Sequence, residues 1–389
     1  MTHALARPTA TRRFDVCICG DGVVAQTLAL LLARERLRVA LVGAPQAAAA
    51  SADVRAYALN AASRALLQEL RVWPDAAAPE QAAAVTPVQT MQVWGDRGGA
   101  LDFSAAAFAL PALSWIVDVP TLEQRLSQAL SFQSGIERCH SAPAAALTVI
   151  CEGKRSPTRA SSGLEYEVFA YPHKALAARL ACERPHAAVA RQWFADGHIM
   201  ALLPLDGAVG NSVALVWSLP LPQADAWAQA EPQALAQAVA QRCGHALGAM
   251  QLQSPVQCWP LELARAPRWI ARTPAGGVAL AGDAAHAMHP LAGQGLNVGL
   301  ADVAALARVL REREYWRELG DYKLLRRYER ARAAAVAAMS WATDGLFELF
   351  AHPDARVQAL RNWGLSGFSC SHTLKGWAAR QASGLNPLL

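Results

Sequence analysis

The N-terminal part of the chain contains the pattern that most restricts its fold: a strand, a glycine-rich turn, a helix and a second strand. The segment FDVCIC (14–19) alternates its side chains as a strand does, VVAQTLALLLARERL carries apolar residues at helical spacing, and RVALV predicts the second strand. The turn Gly20-Asp21-Gly22-Val23-Val24-Ala25 has the spacing G-x-G-x-x-A. Such a turn lets the backbone approach a pyrophosphate at a helix N-terminus. The unit therefore predicts an α/β domain that binds a dinucleotide at Gly20, Gly22 and Ala25.

One position of this unit departs from the dinucleotide-binding pattern. The pattern places an Asp or Glu about 20 residues further on, at the end of the second strand, where it binds ribose hydroxyls. Gly43 holds that place here. A glutamate at position 43 is expected to tighten dinucleotide binding if the strand end has room for it. A positive φ at this glycine would instead make the substitution a source of strain.

A second glycine-rich segment, GDAAHAMHPLAGQGLNVGLADV (282–303), has few bulky side chains. It follows the apolar run GGVALA, which predicts a buried strand with Asp283 at its C-terminal end, where open α/β sheets place ligands. Beyond it, LNVGLADVAALARVLRERE has apolar residues at helical spacing. The N–H groups and the positive dipole end of that helix would receive an electron-rich ring edge or a phosphate.

This second motif, G-D-A-A-H-x-x-x-P-x-x-G-Q-G-x-N-x-G-x-x-D, closely resembles the second FAD motif of the class A flavoprotein aromatic hydroxylases. With HP and AGQG it resembles the branch that hydroxylates the ring of ubiquinone precursors. The resemblance implies FAD as cofactor and NAD(P)H as electron donor. It implies that Asp283 binds the ribityl chain, and that the isoalloxazine is contacted by Pro290, Gly293, Gln294, Gly295, Leu296 and Asn297.

Further segments carry the same resemblance. In DVRAYALNAASRALLQELRVW the family's cofactor-reaching arginine corresponds to Arg55. The segment CEGKRSPTR (151–159) resembles the D-G-x-x-S-x-x-R motif that serves both FAD and NAD(P)H, with Glu152 in the aspartate position and Gly153 next to it. The stretch 131–151 is shorter than in relatives, which fit a β-ribbon there. Together with Gly43 and Glu152, this shortening implies a weakened flavin site.

The resemblance implies an α/β fold with a Rossmann-like, three-layer FAD/NAD(P)-binding domain, an inserted β-sheet substrate domain and C-terminal helices. The expected division is 1–80 for the first part of the FAD-binding domain, 81–159 for mixed FAD and substrate segments, 160–270 for the substrate sheet, 271–315 for the second part of the FAD-binding domain and 316–389 for the C-terminal helices. The charged run 311–332 predicts a solvent-exposed helical face.

The implied function is that of an FAD-dependent monooxygenase, an oxidoreductase that uses NAD(P)H and O₂ through a flavin C4a-hydroperoxide. Its implied substrate is a small aromatic molecule, a (poly)prenylated phenol of ubiquinone biosynthesis. The sequence identifies no catalytic acid or base. Two alternatives stay open: a flavin-poor, non-catalytic scaffold in a quinone-biosynthesis assembly, and a flavin-dependent prenyl reductase.

Charge and sequence patterns indicate which partners, cellular location and metal sites are expected for this protein. The net charge of +5 comes without basic runs interleaved with aromatics, which disfavours a nucleic-acid partner. No apolar run is long enough to span a bilayer, and MTHALARPTATRRFD lacks the apolar core of a secretory signal, so a cytoplasmic protein is expected. Peripheral association with the inner membrane or with a biosynthetic complex stays open. His286 and His289 lie three residues apart without a nearby third ligand, so no metal site is expected.

Overall fold

The computed structural model describes residues 13–43, 54–75, 78–95, 99–195, 197–287 and 295–351. Its first strands are β1 (Phe14–Cys19), β2 (Val39–Val42), β3 (Ala56–Leu59), β4 (Val85–Val88), β5 (Thr90–Trp94), β6 (Ala100–Ser104), β7 (Ser114–Asp118), β8 (Ile136–Cys139) and β9 (Ala145–Ile150). The later strands are β10 (Glu167–Cys182), β11 (Val189–Ala195), β12 (His198–Pro204), β13 (Ser212–Pro220), β14 (Met250–Leu252), β15 (Gln257–Arg265), β16 (Ile270–Thr273), β17 (Gly276–Leu280) and β18 (His286–Ala287).

The helices that accompany these strands are α1 (Val23–Arg34), α2 (Ala61–Glu69), α3 (Pro79–Ala82), α4 (Val119–Ser131), α5 (Pro157–Ser161), α6 (Leu221–Ala228), α7 (Pro232–Arg242), α8 (Gly295–Arg311) and α9 (Tyr322–Ala351). Two short 3-10 turns occupy Ala106–Phe108 and Gly282–Ala284. No described helix combines the length and the apolarity that crossing a membrane requires.

A six-stranded sheet in the order β16-β17-β9-β1-β2-β8 forms the centre of the first layer. Strands β17, β9, β1, β2 and β8 run parallel, and β16 pairs antiparallel at one edge. The strands β1, β2 and β9 are nearly continuous apolar runs, as parallel strands buried on both faces are. The predicted βαβ unit is confirmed as β1-α1-β2.

Helices α1, α4 and α8 share one apolar core with this sheet. A Cβ on Gly299 of α8 would lie 2.9 Å from Val24 Cγ2 of α1, so the absence of a side chain at position 299 permits this close packing. The expected solvent-exposed face of the charged run 311–332 is present in its helical part, where Arg326 and Arg330 are exposed, but the opposite face of that helix is buried. Tyr328 is fully buried and donates a hydrogen bond of 2.8 Å to the Leu280 carbonyl, and the side chain of Arg332 is 13% exposed.

A nine-stranded sheet, in the order β18-β15-β10-β13-β12-β11-β5-β6 with β14 beside β10, forms the second layer. Side chains of successive residues point to opposite faces of a strand, so this sheet has two distinct apolar faces. The face that carries Leu215 and Trp217 packs with the α7 residues Leu235 and Val239.

The opposite face of the nine-stranded sheet carries Ala190 and Ala214. These residues pack with Ile116 of the three-stranded sheet β3-β7-β4. This face is therefore turned toward the dinucleotide-binding part of the molecule, and the predicted α/β fold with an inserted β-sheet layer is confirmed.

Candidate cofactor site

The C-terminal ends of the parallel strands bring four motif segments to one edge of the sheet. Gly20 follows β1, Gly43 follows β2, Cys151 follows β9, and the turn Gly282–Ala284 follows β17. In open α/β sheets, the crevice beyond these strand ends is where ligands bind. The two motifs predicted to bind the cofactor, about 260 residues apart in the chain, therefore lie together.

The turn into α1 has the form that a pyrophosphate group requires. Gly20 has φ +129°, and a Cβ on it would lie 2.5 Å from the Cys151 carbonyl oxygen, so only glycine fits there. Gly22 caps α1 without any side-chain hydrogen bond, and a Cβ on Gly22 would meet nothing within 4 Å. Among the described residues, no side chain caps the first N–H groups of α1, and such a helix start fits an anion. Ala25 is fully buried in α1 and acts by its small size.

Asp283 lies in the 3-10 turn directly after β17, with an exposed side chain. None of the described residues donates a hydrogen bond to its carboxylate. The surrounding protein nevertheless removes enough water from the carboxyl group to raise its pKa, and the charge of Lys154 offsets part of this rise. An acceptor held in the crevice without a donor fits the predicted contact with hydroxyl groups of a ribityl chain.

A brace of Arg159 and Tyr166 holds the Asp283 turn. The Arg159 side chain is buried and donates hydrogen bonds of 3.1 Å to the Ala284 carbonyl and 2.7 Å to the Lys154 carbonyl. Its guanidinium lies 3.6 Å from the centre of the Tyr166 ring, and the Tyr166 hydroxyl donates a 2.6 Å hydrogen bond to the Asp283 carbonyl. The segment 151–159 thus positions the Asp283 turn through the contact between Arg159 and the Ala284 carbonyl. The sequence analysis missed Tyr166.

Glu152 uses its carboxylate inside its own motif. It accepts hydrogen bonds from Ser156 Oγ at 2.5 Å, from Thr158 Oγ1 at 2.7 Å and from the Thr158 N–H at 3.1 Å. The extra methylene relative to aspartate lets one carboxylate reach all three donors at the N-terminus of α5. Gly153 follows with φ +77°, in open space. Glu152 therefore shapes the turn after β9 through these three hydrogen bonds.

A buried ionic triad ties the second motif to α9. Asp302 of α8 is fully buried and accepts hydrogen bonds from His286 Nε2 at 2.6 Å, from the Gly282 N–H at 3.0 Å and from Arg332 Nε at 2.9 Å. The interactions with His286 and Arg332 hold the pKa of Asp302 below its usual value, against the effect of burial. His286 is thus engaged with a carboxylate, and His289 lies outside the described residues. The described residues contain no cluster of three or more potential metal ligands.

The N-terminus of α8 is fixed by the side chain of Asn297. Its Nδ2 donates a 2.8 Å hydrogen bond to the Ala58 carbonyl, and its Oδ1 accepts from the Asn60 N–H at 2.9 Å and from Ser63 Oγ at 2.8 Å. The side chain is 4% exposed, so a ligand would meet the backbone of Asn297 rather than its amide group.

The remaining predicted residues differ in how far the structure describes them. Gly295 begins α8, and a Cβ on it would meet nothing within 4 Å; Leu296 is half-buried beside it. Arg55 is exposed, and its guanidinium lies 3.5 Å from Glu123 of α4. Three residues predicted to contact the isoalloxazine lie outside the described part of the chain: Pro290, Gly293 and Gln294.

The strand end at Gly43 has no room for the predicted glutamate. Gly43 has no positive φ, so its backbone would accept a side chain, but a Cβ would lie 2.6 Å from Asp21 Cβ and 2.9 Å from Asp21 Cγ. The condition set for tighter binding by a glutamate, room at the strand end, is therefore not met while Asp21 keeps its place. On the neighbouring strand, Arg138 Nη1 lies 2.9 Å from both carboxylate oxygens of Asp21.

The comparison with known families shows which kind of dinucleotide-binding protein this chain is. Residues 137–343, more than half of the chain, match the family described as "FAD binding domain". The chain belongs to this family. The predicted flavoprotein family is thereby confirmed. The described residues fit FAD: among them, no side-chain cap bonds the start of α1, none donates a hydrogen bond to the Asp283 carboxylate, and a Cβ on Gly295 at the start of α8 would meet none within 4 Å.

Relatives of the FAD-binding chain include ring hydroxylases. The 3-demethoxyubiquinol 3-hydroxylase of Escherichia coli (strain K12) is 30% identical over 400 residues, which cover 95% of this chain and 98% of that protein. The ubiquinone hydroxylase UbiL of Rhodospirillum rubrum is 29% identical over 97% of this chain and 91% of its own length. The crystal structure of Klebsiella pneumoniae HpxO complexed with FAD and uric acid has the same fold, with a TM-score of 0.72, 15% identity and coverage of 96% of this chain and 98% of that one.

Proposed function

We propose that this protein is an FAD-dependent monooxygenase that hydroxylates the aromatic ring of a ubiquinone precursor. The observation that carries this proposal is Asp283, an exposed carboxylate without a described hydrogen-bond donor, which the Arg159–Tyr166 brace holds beside two helix N-termini. FAD, reduced by NAD(P)H, would supply the activation of O₂ and the oxygen atom that is transferred. The protein's own residues bind and orient the cofactor and the ring and keep water away from both.

Each part of the crevice has a separate task in this proposal. The first N–H groups of α1, behind Gly20 and Gly22, bind the pyrophosphate, because a helix N-terminus attracts anions. The Asp283 carboxylate accepts hydrogen bonds from ribityl hydroxyls. The backbone at Gly295 and Leu296, at the positive end of α8, faces the electron-rich edge of the flavin ring.

The phenolic ring is proposed to lie against the face of the nine-stranded sheet that is turned toward the dinucleotide-binding part. Ser218 shares that face with Ala214, because residues two apart on β13 point the same way. Its neighbours across the strands are Ala175 and Ile199, so the surroundings are apolar. The Ser218 hydroxyl is buried and has no hydrogen-bond partner among the described residues. A buried, unpaired hydroxyl on an apolar surface fits a flat substrate that carries a polar oxygen.

The Asp283→Asn variant tests the cofactor assignment. Hydrogen bonds to a charged acceptor are stronger than those to a neutral one by about 1 kcal/mol or more each, so two such bonds predict FAD binding weakened about tenfold or more. Because the surrounding protein partly desolvates the Asp283 carboxyl group and raises its pKa, its ionised form destabilises the folded apoprotein at neutral pH. The asparagine is therefore expected to leave the apo melting temperature unchanged or higher.

The matched control is Glu262→Gln, which alters a carboxylate that already lies 3.6 Å from Lys154. Its FAD affinity is expected to equal that of the parent. Equal FAD affinity in Asp283→Asn and in the parent would contradict the assignment of Asp283.

The reaction itself is tested with a series of prenylated phenols of increasing tail length. The monooxygenase proposal predicts FAD bound near one per chain, substrate-stimulated NAD(P)H oxidation that requires O₂, and a product with one added oxygen atom. Each methylene buried with a tail is expected to add about 0.8 kcal/mol to binding. A product with added hydrogen and no oxygen would indicate the prenyl reductase. A purified protein that binds no FAD would indicate the scaffold.

A further inference from the structure

The position of the missing ribose acid is filled from another segment of the chain. The family pattern expects a carboxylate at the end of β2, and Gly43 offers none. A side chain on Gly43 would run directly into Asp21, because its Cβ would lie 2.6 Å from Asp21 Cβ and 3.0 Å from Asp21 Oδ2. The carboxylate of Asp21 therefore stands beside the strand end that normally supplies one.

We propose that the Asp21 carboxylate binds the ribose hydroxyls of the FAD adenosine, in place of an acidic residue at the end of β2. This inference rests on the proposed function, since it concerns the same cofactor. In this proposal Gly43 and Asp21 depend on each other. Because glycine has no side chain, the side chain of Asp21 can occupy the space beside the strand end.

The orientation of Asp21 is fixed by its neighbours. Arg138 on β8 places Nη1 at 2.9 Å from both carboxylate oxygens, and Gln26 Nε2 donates a 2.7 Å hydrogen bond to the Asp21 carbonyl. The carboxylate is thereby held between the ends of β2 and β8, beside Gly43 and in contact with Arg138. The Arg138 charge also reduces the repulsion that Asp21 would exert on a pyrophosphate bound there.

The Asp21 carboxylate keeps acceptor capacity for a ligand. The described residues donate to it only through Arg138 Nη1, whereas a carboxylate has about four lone-pair sites. The side chain of Asp21 is 21% exposed at the mouth of the crevice. Two adjacent hydroxyl groups can donate to such a carboxylate.

The first test compares FAD binding to the apoprotein of the parent, of Asp21→Asn and of the control Asp15→Asn. Asp15 lies near the start of β1, at the opposite end of the strand, and pairs with Arg38 there. Asp21→Asn is expected to weaken FAD binding about tenfold or more, because hydrogen bonds to a charged group are replaced by neutral ones. Asp15→Asn is expected to bind FAD as the parent does.

The second test moves the carboxylate back to the strand end. Gly43→Glu alone should lower the apo melting temperature, because its Cβ meets Asp21. Asp21→Gly alone should bind FAD about tenfold more weakly or worse. The double variant Asp21→Gly/Gly43→Glu removes the contact and restores a carboxylate near the ribose. It is expected to recover most of the parental FAD affinity with a parental apo melting temperature.

The outcomes separate this inference from the proposed function. Parental FAD affinity in Asp21→Asn would overturn the role of Asp21 and reduce the Asp21–Arg138 contact to a surface ion pair, while Asp283→Asn still reports on the flavin site. A folded double variant that binds FAD no better than Asp21→Gly would also overturn it. A parent that binds no FAD would refute both proposals.

Discussion

The buried triad of Asp302, His286 and Arg332 makes the structure testable in the apoprotein, through a contact that supports the crevice. Replacing Arg332 with methionine keeps an unbranched, flexible side chain over most of its length and removes the charged guanidinium. Asp302 is fully buried, so it would lose the guanidinium that pairs with its charge. Breaking a buried ion pair from one side typically costs about 3–5 kcal/mol. We expect about 3 kcal/mol here, because His286 Nε2 and the Gly282 N–H still bind the carboxylate.

The control for Arg332→Met is Arg326→Met on the same helix. Arg326 also forms an ion pair, at 3.7 Å from Glu329, but its side chain is 49% exposed, and such a surface pair contributes less than about 1 kcal/mol. Urea unfolding of the two apo variants, with the free energy extrapolated to zero denaturant, measures the difference. A difference below about 1 kcal/mol between them would refute the reasoning that Arg332 neutralises a buried charge.

Two further predictions follow from single groups. The pKa of Asp302 is lowered in the folded protein, so its ionisation contributes stability that is fully present above the unfolded pKa of about 3.9 and is lost as the pH falls through the folded pKa. Acid unfolding of Arg332→Met should therefore begin at a higher pH than that of Arg326→Met. Acid transitions at the same pH in the two variants would contradict this. Ser218→Ala is expected to raise the apo melting temperature, since a buried hydroxyl without a partner among the described residues costs about 1–3 kcal/mol. The same variant is expected to raise the KM for the phenol while the FAD affinity stays unchanged. An unchanged KM would remove Ser218 from the substrate site.

The parts of the fold that depend on local pattern were predictable from the sequence. The β1-α1-β2 unit follows from strand and helix periodicity around a glycine turn, and Asp283 follows from its place after a short apolar strand. These signals lie within some 30 residues of chain. The position of the cofactor crevice therefore needed only the rule that parallel strands end at one edge.

The contacts that hold the crevice in shape were not predictable in this way. Tyr166 reaches the Asp283 carbonyl across 117 positions of sequence, and nothing local distinguishes it from an ordinary tyrosine of a strand boundary. Arg332 lies in a run whose charges indicate solvent, and only the packing of α9 against α8 brings it to Asp302. Such residues are identified by what they touch, and periodicity contains no information on that.

Gly43 shows why a motif position cannot be judged alone. Considered by itself, the glycine is a lost ligand, and a glutamate restored there should help. In the structure, the volume beside Gly43 belongs to the middle residue of the first glycine turn, 22 positions earlier, so restoring the acid without removing Asp21 brings two side chains into one place. The same carboxylate chemistry can thus reach the ribose from the turn or from the strand, but not from both. If Asp21 does perform this task, the two positions are coupled, and the FAD affinity of Asp21→Gly/Gly43→Glu should exceed what the two single changes predict when their free energies are added.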